Sequence, residues 1–69
     1  MFIVIELQTT GTQTANLVTS HATLAEAEAK YHAVLSAAAV SSLDAHGAIM
    51  VNDRCVPIKH ECYTHVAED

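Results

Sequence analysis

Positive charge is the scarcest ingredient of this 69-residue chain. Its cations are Lys30, Arg54 and Lys59, against eight acidic residues, and the formal net charge is −5. Nothing supplies the cluster of phosphate contacts that extended nucleic acid demands, which argues against broad nucleic-acid binding. Long apolar runs are missing too. No stretch approaches the roughly 20 residues of a membrane-spanning helix. Met1 leads straight into Phe2-Ile3-Val4-Ile5-Glu6 with no basic segment, so no signal peptide is expected and the chain reads as cytoplasmic. The two glycines, Gly11 and Gly47, form no phosphate-cradling loop. The two cysteines, Cys55 and Cys62, lie in one expected strand. Seven residues of strand place them about 23 Å apart, beyond the reach of a disulfide, and free thiols suit a reducing compartment. No repeat, linker or low-complexity tail stands out.

What is present is apolar and small. Hydrophobic residues make up 51% of the chain and charged ones 16%, which argues against disorder. Residues 1–69 read as one domain. A chain this short buries only about 60% of its unfolded surface, and oligomerisation is a common remedy for so small a core.

One helix is expected over residues 23 to 40. Thr23 suits the N-cap, and Glu26 three residues on completes a Thr-x-x-Glu capping box. At 100° per residue, Leu24, Ala27, Tyr31, Val34, Leu35 and Ala38 fall on one stripe, the natural face to pack on a sheet. Glu26 and Lys30 stand four apart and can pair. The back carries Ala25, Ala29, Ala33, Ser36 and Val40, so this helix is short of a polar side. Alanine is also simply the best helix former, so the smooth back permits a second contact without requiring one.

The remainder reads as strands: Phe2–Gln8, Thr14–Ser20, Ala45–Asn52 and Cys55–His65. Turns fall at Thr9-Thr10-Gly11-Thr12 and at Asn52-Asp53-Arg54. Pro57 lacks a donor, which marks the last strand as an edge. The fold class is therefore α+β: a ββαββ order making a four-stranded antiparallel sheet with one helix packed on one face. Alternation puts Ile3, Ile5 and Leu7 on one side of the first strand and Phe2, Val4 and Glu6 on the other. The third strand offers Gly47, Ile49 and Val51 against Ala48 and Met50. Both faces are apolar, and one helix covers only one. The uncovered face is expected to expose Phe2, Val4 and Met50, and a second copy of the chain is the obvious cover, as a dimer or, using the helix back as well, a tetramer.

The densest polar cluster is His60-Glu61-Cys62-Tyr63-Thr64-His65, with His46 and Lys59 as candidate neighbours. On a strand, Lys59, Glu61, Tyr63 and His65 share one face, a surface able to stack a ring and bond its edges. No spacing here is diagnostic, and the same residues are more often ordinary ones of a solvated strand near a C-terminus. His60 and Cys62 share the other face, and His46 can join them, but the spacing fits no usual zinc pattern and no metal or cofactor is expected. Cys62 has no neighbouring group to activate it, and no carboxylates stand in a catalytic pair, so the chain is not expected to be an enzyme.

The segments Phe2-Ile3-Val4-Ile5-Glu6-Leu7-Gln8 and Lys30-Tyr31-His32-Ala33-Val34-Leu35-Ser36-Ala37-Ala38-Ala39-Val40-Ser41, then His46, then Glu61-Cys62-Tyr63-Thr64-His65, resemble a group of short uncharacterised proteins of tailed bacteriophages and of prophages in gut bacteria. The resemblance spans nearly the whole chain and carries no residue roles. It implies a phage protein made in the host bacterial cytoplasm, a setting in which small oligomeric proteins bury nucleotide immune signals between subunits. The expectation is thus a homo-oligomeric, non-enzymatic binder of a nucleotide-type small molecule, with Tyr31, His32, His46, Arg54, Lys59, Tyr63 and His65 as ligand-binding residues. Its acidic charge runs against a phosphate ligand unless the cations gather around a shared site. The alternative is a protein–protein module: an inhibitor of a host protein, or a minor virion or assembly component.

Overall fold

The alternating run after Met1 forms β1 (Phe2–Thr10), which returns through Gly11-Thr12 as β2 (Gln13–His21). A helix, α1 (Leu24–Ala39), then crosses the sheet to β3 (Ala45–Asn52), and β4 (Pro57–Thr64) closes it. The computed structural model describes residues 1–65. All four strands pair antiparallel in the order β2-β1-β3-β4, with α1 over one face. The fold class read from the sequence is the one the chain adopts.

Local chemistry explains the boundaries. Thr23 caps α1: its Oγ1 accepts the Glu26 N–H at 3.2 Å and donates to Glu26 Oε1 at 3.2 Å. Glu26 is thereby engaged in the cap rather than paired with Lys30. Gly11 takes a positive φ of 61° in a two-residue loop, as the first central position of a type II′ turn demands. Asp44 Oδ2 accepts the Gly11 N–H at 2.7 Å, tying this turn to the connection after the helix. The fourth strand begins two residues later than expected. Asn52 Oδ1 accepts the N–H groups of Arg54 (2.8 Å) and Val56 (3.0 Å), and Cys55 adopts a φ of 65°, so the turn consumes residues that read as strand.

The core is Val4, Ala48 and Met50 from the sheet against Ala27, Tyr31 and Val34 from the helix, flanked by Phe2 and Leu35. This corrects the expectation that Phe2, Val4 and Met50 face outward. Met50 and Val4 are the largest fully buried side chains. The open face carries the other parity instead: Ile3, Ile5 and Leu7, with Val18, Ile49 and Val51 beside them in register. Alternation decides which residues share a face; it does not decide which face the helix takes. The helix stripe packs as expected except at Leu24, which stays 43% exposed at the first turn.

Candidate functional site

Position on an edge strand gives the β4 side chains their roles. Lys59, Glu61 and Tyr63 pair in register with Met50, Ala48 and His46, so they share the helix side of the sheet. Above them α1 presents Tyr31, His32, Leu35 and Ser36, one turn apart on its flank. Between helix and strand lies an open groove of about 740 Å³ lined by these residues together with Ala39 and His60.

Its lining joins four rings, Tyr31, His32, His60 and Tyr63, with the charged Lys59 and Glu61. The rings of Tyr31 and His32 meet edge to face, 5.5 Å between centroids at 71°. Burial, then the Glu61 carboxylate, pushes the Tyr31 phenol above its ordinary value. The Tyr63 phenol is also raised, first by hydrogen bonding of its protonated form to Glu61 and then by that residue's charge. Lys59 Nζ donates to Glu28 Oε2 at 2.6 Å across the groove end, which holds the Glu28 carboxyl below its ordinary value. The one cation in the groove lining is therefore already partnered, and Glu61 stands near both phenols as an acceptor.

Of the seven expected binding residues, Tyr31, His32, Lys59 and Tyr63 come together here. His46 lies beneath the helix rather than in the groove. It is buried, its Nε2 stands 2.6 Å from Glu6 Oε2, and Gln8 Nε2 donates to the same oxygen at 3.0 Å. Its Nδ1 is buried without a hydrogen-bond partner. His65 closes the helix end, with Nε2 2.8 Å from the Ala38 carbonyl oxygen, which accepts. Arg54 sits in the β3–β4 turn and lines no part of the groove.

The seven expected binding residues leave out Glu28, Glu61 and Leu35. Strand alternation alone puts Glu61 between Lys59 and Tyr63 on one face, as read from the sequence. Glu28 was recoverable only with the helix placed over β4. His46 does not join His60 and Cys62: register puts it on the helix side and them on the open side. Cys55 and Cys62 are both free and exposed, and neither lines the groove. Among the described residues no three His, Cys, Asp or Glu side chains gather to hold a metal ion, and no helix is long and apolar enough to cross a membrane.

Chemically, the groove can stack a planar ring against Tyr63 or the exposed His32, while Tyr31 is buried in the core beneath them. It can accept hydrogen bonds at Glu61 from amino or hydroxyl donors, and can offer an anion one ammonium if Glu28 is displaced. Compared with family models, curated proteins and solved structures, the chain matches none of them.

Proposed function

We propose that this protein is a small homo-oligomeric binding protein that sequesters a nucleotide-derived molecule without converting it. The observation that carries the reading is the convergence of Tyr31, His32, Lys59 and Tyr63 on one open groove. The aromatic walls suit a base. Glu61 suits the donors of a base edge or a ribose diol. Lys59 accepts phosphate in exchange for Glu28, so the groove favours a ligand with few phosphates over a polyphosphate. In a phage setting this chemistry is that of a sponge for a nucleotide immune signal in the bacterial cytoplasm.

The test is ligand release. The protein is incubated with extracts of cells making cyclic nucleotides or ADP-ribose derivatives, repurified, denatured, and the released small molecules identified. Intact ligand from the wild type, and at least tenfold less from Tyr63→Ala and Lys59→Ala, is the expected result. Recovery of altered ligand makes the protein an enzyme. A second reading, a protein–protein module, is favoured by the apolar open face of Ile3, Ile5, Leu7 and Ile49. A co-purifying host protein with no released ligand selects it.

A further inference from the structure

The two edges of this sheet are built differently. The β4 edge carries three common devices against edge-to-edge pairing. It begins with Pro57, its register slips between Met50 and Val51, and it bears Lys59 and Glu61. The β2 edge carries none. It is nine residues long, Gln-Thr-Ala-Asn-Leu-Val-Thr-Ser-His, with no proline and no Asp, Glu, Lys or Arg, and its pairing to β1 runs unbroken from Phe2↔His21 to Thr10↔Gln13. Leu17 and Val18 in its centre are 58% and 57% exposed although they point to opposite faces. Covering either face alone leaves one of them in water.

We infer that β2 is the contact edge for a second copy of this chain, its β2 pairing antiparallel with the first to make one continuous eight-stranded sheet. The backbone specifies the register. Thr10 and Gln13 flank a two-residue type II′ loop and so exchange both hydrogen bonds. Alternation then directs the N–H and C=O groups of Gln13, Ala15, Leu17, Thr19 and His21 toward β1. Those of Thr14, Asn16, Val18 and Ser20 point out to the free edge. A twofold axis at Leu17 puts Asn16 opposite Val18 of the other copy, and Thr14 opposite its Ser20. All nine residues then pair, with about eight new backbone hydrogen bonds. Leu17 meets Leu17 of the other copy on the helix side, and Val18 packs against Asn16 on the open side.

Two further features favour a copy of this chain as the occupant. The strand is uncharged, so a net charge of −5 per chain sets no like charges directly opposite across the seam. The helix packs chiefly on β1 and β3, and residues 13–18 of β2 are exposed along their whole length, so that stretch of the edge is open to the other copy. The contact requires nothing of the α1–β4 groove, which lies at the opposite edge.

Cross-linking tests it. In a background with Cys55→Ser and Cys62→Ser, Leu17→Cys is compared with Ser20→Cys under mild oxidation. At the twofold, two thiols at position 17 occupy a non-hydrogen-bonded pair with Cα atoms about 4.5 Å apart, within disulfide geometry. Two thiols at position 20 stand roughly 20 Å apart. Leu17→Cys is expected to become a disulfide-linked dimer nearly completely, and Ser20→Cys to remain unlinked. Val18→Pro removes an outward N–H and leaves the β1 ladder intact. It should halve the mass in light scattering with the far-UV circular dichroism retained. Should Val18→Pro unfold, Leu17→Lys, at an exposed site and facing its own charge at the axis, must give the same halving. Absence of the position-17 cross-link, equal linking at 17 and 20, or an unchanged mass in folded Val18→Pro or Leu17→Lys overturns the inference.

Discussion

The Glu6–His46 pair is the most buried of the carboxylate pairs among the described residues. Both side chains are nearly buried, at 12% and 6% exposure, and their atoms meet at 2.6 Å. The hydrogen bond from His46 pulls the Glu6 carboxyl below its ordinary value against the opposing effect of burial, with Gln8 and the charge of Lys30 assisting. A carboxyl depressed in the folded state contributes stability that is present above its unfolded value, about 4.3. That contribution is lost as pH falls through the lower folded value. Glu6→Gln keeps an acceptor for His46 but removes the titration. In urea unfolding from pH 7 to pH 3 the wild type is expected to lose its margin over Glu6→Gln progressively below about pH 4.3. A constant margin across that range refutes the assignment. His46→Ala strands the carboxylate under the helix and should destabilise at pH 7 by about 3 kcal/mol.

Among the elements, β3 is the one on which the others depend, and Gly47 shows why. It faces the backbone of β4 so closely that a Cβ there would lie 2.4 Å from the Glu61 carbonyl oxygen and 2.7 Å from the Cys62 Cα. No side chain at the far end of a rotatable bond is available to yield. Gly47→Ala must therefore push β4 away from β3, and with it Glu61 and Tyr63 away from the groove. The expected destabilisation is about 3 kcal/mol or more by thermal or urea unfolding. Gly11→Ala, strained by φ but with nothing within 4 Å of the new methyl, should lose only about 1 kcal/mol. Equal losses at the two sites would refute the close approach. The order ββαββ was readable from alternation, the Thr23 cap, the Gly11 turn and Pro57, because those are local signals. The assembly of the groove was not. Tyr31 and Tyr63 line one groove only because β4 lies outside β3 with α1 above it, and strand order is a property of the whole sheet. Arg54 was lost to the groove for a local reason, since Asn52 captures the turn and holds it at the far end of β4.

At the scale of the whole molecule, the open face and the β2 edge pose one problem. The face spans nine residues of strand, about 30 Å, by four strands, about 19 Å, so two single chains stacked face to face bury roughly 1,100 Å². That is at the lower limit for a stable interface. Two β2-paired dimers stacked by the same faces bury about twice as much, well inside the stable range. Edge pairing thus turns a marginal face into a sufficient one, and the assembly it implies is a tetramer with two independent dyads. Ile5 sits at the centre of this face, between Val18 and Ile49 in register. Ile5→Glu places a carboxylate where an apolar neighbour is required. It is expected to reduce a tetramer to a dimer in light scattering at micromolar concentration, while the disulfide of a Leu17→Cys, Ile5→Glu double variant still forms. Leu17→Lys leaves only the marginal single-chain face, so its dimer should dissociate on dilution, and the combination of Ile5→Glu with Leu17→Lys should give a folded monomer at every concentration. If Ile5→Glu alone abolishes the position-17 cross-link, the two contacts are not independent and the stacked arrangement is wrong. If it leaves the mass unchanged, the open face is not where copies of this chain meet.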